Sequence, residues 1–194
     1  MKLTGIGFGG KMDAKTTAII VVDMLNDFVT GHLKSERVMK TVAPLKQLLD
    51  CAREKEITVI FSNDSRLPID CELETWGGHA IRGAKGAEVI PELGLCDDDY
   101  EVPKRCYNSF FGTNLDLILS NLGIENVVVT GCHTHMCVRH TSAIAYCLGY
   151  NIYVASDATN SFTEEDYNNG IAYLKQIYKA QVFTVDELCA MWTK

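Results

Sequence analysis

No apolar run in this chain approaches the ~20 residues that a bilayer-spanning helix needs, so no membrane partner is expected. Positive charge is also short. Lys and Arg number 18 against 25 Asp and Glu, a formal net charge of −7, which argues against a general nucleic-acid-binding role. There is no C-x-x-C pair, although the chain holds eight cysteines. Their irregular spacing (Cys51, Cys71, Cys96, Cys106, Cys132, Cys137, Cys147 and Cys189) indicates neither a zinc ribbon nor a thioredoxin-type motif. Residues Met1 to Lys15 are Gly-rich and lack an apolar core of signal-peptide length. They are expected to form a loosely packed lead-in, and the thiols are expected to stay reduced in the cytoplasm. No repeat, linker or low-complexity tract interrupts the 194 residues, which suffice for one domain, 1–194, with a sizeable core.

What the chain does have is alternation. Apolar runs at Thr17–Val22, Ile57–Ser62, Val127–Thr130 and Asn151–Ser156 read as buried strands, with shorter extended pieces near Tyr100–Val102 and Gln181–Thr184. Helical spacing covers about Lys34–Lys55, Asn114–Leu122, Cys137–Leu148 and Thr163–Lys179. Thr163-Glu-Glu-Asp combines an N-cap hydroxyl with an acidic first turn. Alternating apolar strands and helices predict an α/β fold of three layers (α/β/α), a Rossmann-like parallel sheet with helices on both faces. The segment from Asp64 to Leu95 reads as a long loop, of the kind that is usually functional or contacts another subunit.

Three segments carry candidate chemistry. In T-G-C-H-T-H-M-C-V (130–138), Cys137 falls where a strand gives way to a helix. The positive end of a helix favours thiolate over thiol, and the thiolate is the nucleophile; a buried structural cysteine is the alternative. In V-V-D-M-L-N-D-F (21–28), Asp23 closes a fully apolar strand, and ligands in open α/β sheets bind outside the carboxyl ends of strands. It could equally be a helix cap or a loop carboxylate. Lys104 opens K-R-C-Y-N-S-F-F-G-T-N-L-D (104–116) and by itself reads as a surface lysine.

Together with D-A-T-N-S-F (157–162), these ordered motifs resemble the isochorismatase-like cysteine hydrolases, the superfamily of nicotinamidases, N-carbamoylsarcosine amidohydrolase, maleamate amidohydrolase and isochorismatase. The resemblance runs from about Thr16 to Leu188. It implies a catalytic triad of Asp23, Lys104 and Cys137, a thioester intermediate, an oxyanion hole from the backbone N–H groups of His133 and Cys137, and a cis peptide at Cys132–His133. In that scheme Lys104 lowers the pKa of Cys137. It implies a small-molecule amide substrate, with nicotinamide one candidate. The same family also contains vinyl ether hydrolases of the isochorismatase type, and a non-catalytic oligomeric binding protein could retain the fold. A homodimer or homotetramer is expected by the same resemblance.

The resemblance also raises a metal. Nicotinamidases commonly hold a divalent ion through Asp-x-His and a later His, and the matching positions here are Asp64, Arg66 and His79. Arginine cannot ligate a cation and repels one. No cofactor or metal is therefore expected, with Asp64 and His79 the weak alternative. Arg66 could instead hold a substrate carboxylate or pair with Asp70 or Glu72, and Arg139 is a second candidate for a carboxylate. Phe28, Trp76, Tyr107 and Phe111 are candidates, with Arg66, to wall a substrate pocket.

Overall fold

Six runs of extended chain pair into one parallel sheet. The structure, a computed structural model, describes residues 12–193. Its strands are β1 (Met12–Asp13), β2 (Thr17–Val22), β3 (Thr58–Asp64), β4 (Tyr100–Lys104), β5 (Asn126–Cys132), β6 (Asn151–Asn160), β7 (Gln181–Phe183) and β8 (Trp192–Thr193). The main sheet runs β4-β3-β2-β5-β6-β7 with every pair parallel. Side chains alternate across it, as a period of two requires. Ile19, Val21, Phe61, Val128 and Tyr153 face one core, while Ala18, Ile20, Ile60, Val127, Val129 and Val154 face another.

Helices cover both faces. They are α1 (Asn26–Val29), α2 (Glu36–Met39), α3 (Val42–Glu54), α4 (Glu72–Trp76), α5 (Leu115–Asn121), α6 (Arg139–Leu148), α7 (Glu164–Ile177) and α8 (Val185–Met191). In α3, Leu45, Leu48, Leu49 and Ala52 lie on one stripe at i, i+3, i+4 and i+7 and join the first core with Val185 and Leu188 of α8. Leu115 and Leu119 of α5, Ala145 of α6 and Leu174 of α7 close the second. This is the three-layer α/β/α arrangement expected from the sequence. Among the described residues, no helix is long and apolar enough to cross a membrane.

Several details depart from the sequence reading. The helix expected over Lys34–Lys55 is two, α2 and α3. Pro44 has no N–H to bond the carbonyl of Lys40, and its ring crowds that carbonyl, so the helix cannot run through. The lead-in is partly packed: Met12 and Ala14 are buried, and β1 pairs with β8; residues 1–11 lie outside the described residues. The Asp64–Leu95 segment contains α4 and two short 3₁₀ turns. Strand β6 continues four residues past Ser156, after a register shift opposite Val129 to Gly131.

That shift requires Gly131. Its φ is +90°, and a Cβ there would stand 2.0 Å from the carbonyl oxygen of Val22 on the neighbouring strand. Gly131→Ala is therefore expected to cost at least ~2 kcal/mol of stability, through backbone strain and a collision with main chain that cannot swing away. Urea unfolding checks this; a variant within ~0.5 kcal/mol of the parent, the range of innocuous surface changes, contradicts it.

Candidate active site

The chain order of the strands decides where a site can form. From β2 the chain builds outward through β3 and β4, then returns to place β5 on the other side of β2. The crevice at the carboxyl ends of β2 and β5 is thus a topological switch point. Asp23 follows β2, Asp64 ends β3, Lys104 ends β4, and Cys132 ends β5. Because β3 and β4 are in register with Asp64 opposite Lys104, their side chains meet at one edge. Asp23 takes a left-handed backbone conformation, φ +54°, which Asp tolerates better than most residues. Beyond β5, a single π turn, Thr134–Val138, carries Cys137 into α6. The peptide between Cys132 and His133 is cis.

The structure brings Asp23, Lys104 and Cys137 together. The Lys104 ammonium is fully buried, donates to Asp23 Oδ2 at 2.7 Å and to Asp64 Oδ1, and lies 3.8 Å from Cys137 Sγ. The backbone N–H of Asp64 donates to Asp23 Oδ1 at 2.7 Å. The Cys137 and Asp23 side chains border the same cleft. Burial, and next the Asp64 charge, push Asp23 up to about 6, against the pull of Lys104. Lys104 stays firmly protonated, since its carboxylate neighbours outweigh the cost of its burial.

Cys137 departs from the lowered pKa that the resemblance implied. Burial drives its thiol well above the usual range, and Lys104 only partly offsets this. A sulfur removed from water gains little from the end of a helix when two carboxyl groups stand beside it.

Arg66 does not wall the pocket. It is buried beneath, donating through Nε and Nη2 to Asp64 Oδ2 at 3.2 and 2.7 Å and pairing with Glu72. Asp70 instead pairs with Arg105. With its guanidinium committed to two carboxylates, Arg66 has no free edge for a substrate carboxylate. Arg139 lies over the Tyr173 ring, 5.1 Å from its centroid, away from Cys137. Phe111 also falls outside the cleft. It is 75% exposed, on a separate depression with Arg105 and Gly112, while its neighbour Phe110 packs inward against Tyr150.

Phe28, Trp76 and Tyr107 do line the cleft over Cys137. Trp76 Nε1 donates to the Tyr107 hydroxyl at 2.9 Å, which fixes both rings. One wall was not foreseen. Phe162 stacks on Trp76 at 5.8 Å and on His133 at 3.8 Å between centroids. The signal for it was present in D-A-T-N-S-F, which ends at that ring.

The residues do not fit the metal that the resemblance raised. Both oxygens of Asp64 already accept from cations, Oδ1 from Lys104 and Oδ2 from Arg66. His79 is buried, with Nδ1 bonded to the Gly77 carbonyl and Nε2 3.8 Å from Asp64. The remaining position is a guanidinium. Among the described residues, no group of three or more His, Cys, Asp or Glu side chains could hold a metal ion.

Comparison with known proteins agrees with this geometry. The isochorismatase domain model matches residues 17–187. The chain belongs to the isochorismatase family of hydrolases. It is similar to the solved N-carbamoylsarcosine amidase of Thermoplasma acidophilum, at 38% identity and TM-score 0.83 over 88% of this chain and 97% of that one. A nicotinamidase/pyrazinamidase of Bacillus subtilis is 27% identical, with TM-score 0.82 over 86% and 98%. A protein of Arabidopsis thaliana named a probable inactive nicotinamidase is 32% identical over 84% of this chain and 90% of its own length.

The Arg66 arrangement yields a test. Elemental analysis of the purified family member should find well below one zinc, iron or manganese per chain. Arg66→His should raise zinc affinity at least tenfold in a competition titration, because two imidazoles and a carboxylate suit that ion. One tightly held metal per unmutated chain contradicts the account.

Proposed function

We propose that this protein is a cysteine amidohydrolase that cleaves a small amide and releases ammonia. The observation that supports this most is the buried contact of Lys104 with both the Asp23 carboxylate and the Cys137 sulfur. Similarity to an N-carbamoylsarcosine amidase and a nicotinamidase adds the C–N bond as the one broken.

The chemistry follows from the resting state. Cys137 waits as a thiol, so it must be deprotonated as it attacks. Asp23 takes the Sγ proton while sulfur adds to the amide carbonyl carbon. The carbonyl oxygen becomes an oxyanion, held by the backbone N–H groups of His133 and Cys137. Asp23 then returns its proton to the nitrogen, the C–N bond breaks, and ammonia leaves a thioester on Cys137. Water attacks the thioester with Asp23 again accepting a proton, and the acid departs as the thiol reforms. Lys104 never gives up its proton. Its charge holds Asp23 in place and offsets the negative charge that passes between carboxylate and sulfur.

An ammonia-release screen over nicotinamide, pyrazinamide, maleamate, N-carbamoylsarcosine and ureidoacrylate tests the reaction class. Cys137→Ala should release no ammonia above background with the fold intact by circular dichroism, and Cys137→Ser should be nearly as inactive, since a hydroxyl is far less acidic than a thiol. Activity of Cys137→Ala within tenfold of the parent removes the nucleophile. Since Asp23 must be ionised to act as base, kcat/KM should rise through about pH 6 and then level off. A profile flat from pH 5 to 7 contradicts that role.

A further inference from the structure

The cleft walls leave one polar side chain unaccounted for. His133 is 97% buried by accessible surface, 3% exposed, and lines the cleft beside Cys137. Neither Nδ1 nor Nε2 has a hydrogen-bond partner among the described residues. The ring is stacked on Phe162 at 3.8 Å, with Phe28 edge-on at 6.2 Å. Buried polar atoms are almost always paired, and an orphan costs ~1–3 kcal/mol. Imidazole offers one donor and one acceptor.

Charge narrows what could supply the missing partner. Three carboxyl groups, Asp23, Asp64 and Glu72, border the cleft. The two cations nearby, Lys104 and Arg66, are both bonded to those carboxylates and neither borders it. An anionic ligand would meet repulsion with no free counter-charge. Burial, with His135 adding to it, also holds the His133 ring neutral, down to about 3.

We propose that His133 is a specificity-determining residue, whose side chain hydrogen-bonds a second, uncharged polar group on the amide substrate. The physiological substrate is thus an uncharged carboxamide with another neutral donor or acceptor, and anionic amides are disfavoured. This rests on the amidohydrolase reading and adds the substrate's charge and its second contact. His133 has two separate parts in the site: its backbone N–H serves the oxyanion, while its ring reads the distant end of the substrate.

Two matched sets of amides test the idea. One is succinamide, succinamate and pentanamide, which share the reacting end and differ in a neutral polar, anionic or apolar tail. The other is nicotinamide against benzamide, which differ by one ring nitrogen. The parent enzyme should show kcat/KM at least tenfold higher for the uncharged polar member of any set it turns over. In His133→Phe, which keeps a flat ring on Phe162, that ratio should fall to within about threefold of unity, a loss of the one hydrogen bond, whatever the absolute rate. His133→Asn keeps a donor and an acceptor and should restore part of the ratio. A structural role alone would lower all rates together and leave the ratios unchanged.

The outcomes separate the two claims. No ammonia from any amide, in these sets or the wider screen, overturns the reaction class and the inference with it. Turnover of amides with succinamate or N-carbamoylsarcosine preferred, or a ratio unmoved in His133→Phe, overturns the inference and leaves the reaction class standing.

Discussion

The ammonium of Lys104, out of water between Asp23 and Asp64, is the interaction on which the site depends. An ion in that position is tolerable only when paired with good geometry. Here both partners come from the ends of neighbouring strands, so the sheet's register supplies the geometry. Removing one member of such a set strands the others and typically costs ~3–5 kcal/mol. The cluster continues through Asp64 to Arg66 and Glu72. Three carboxyl groups and two fixed cations therefore share one buried space.

That arrangement sets the state of both reacting groups. Burial alone would leave Asp23 protonated at neutral pH and useless as a base. Lys104 opposes burial and the Asp64 charge, and the balance falls near 6, ionised at pH 7 yet basic enough to accept a proton. The same burial keeps Cys137 a thiol. In the proposed mechanism, activation is thereby tied to the arrival of substrate, with the proton moving as the sulfur adds to the carbonyl carbon. Arg66 contributes from below by holding Asp64 with a fixed charge. In the proposal above, side chains such as His133 orient the substrate.

Much of this was legible in the sequence, for reasons that can be named. Thr17–Val22 was readable to the residue because a strand buried on both faces is apolar throughout. The ends of β3 and β6 ran on unseen because their last residues are mostly polar, Asn63 and Asp64 in β3 and Asp157, Thr159 and Asn160 around the buried Ala158 in β6. The α3 stripe was clear, but its start was hidden, since periodicity carried the reading past Pro44. Asp23, Lys104 and Cys137 stood out through ordered motifs, and the structure places them in contact. The pocket walls were harder. Phe110 and Phe111 are chemically identical neighbours, and only tertiary packing decides which turns inward. For Arg66 a substrate carboxylate and a pairing with Asp70 or Glu72 both stayed open, because its partners, Asp64 and Glu72, converge on it only once α4 folds over the end of β3. The lowering expected for Cys137 does not appear, because local helix geometry is visible in a sequence, whereas depth of burial is not.

The claim that Asp23 and Lys104 act as one unit with Cys137 is tested most directly by a double-mutant cycle on kcat/KM for the best amide. Asp23→Asn and Lys104→Ala should each lose at least ~10²-fold, the range of a general acid–base contribution, and the double variant should lose little more than the worse single one. Losses that multiply, giving ~10⁴-fold or more in the double variant, would show two independent groups and contradict a shared charge network.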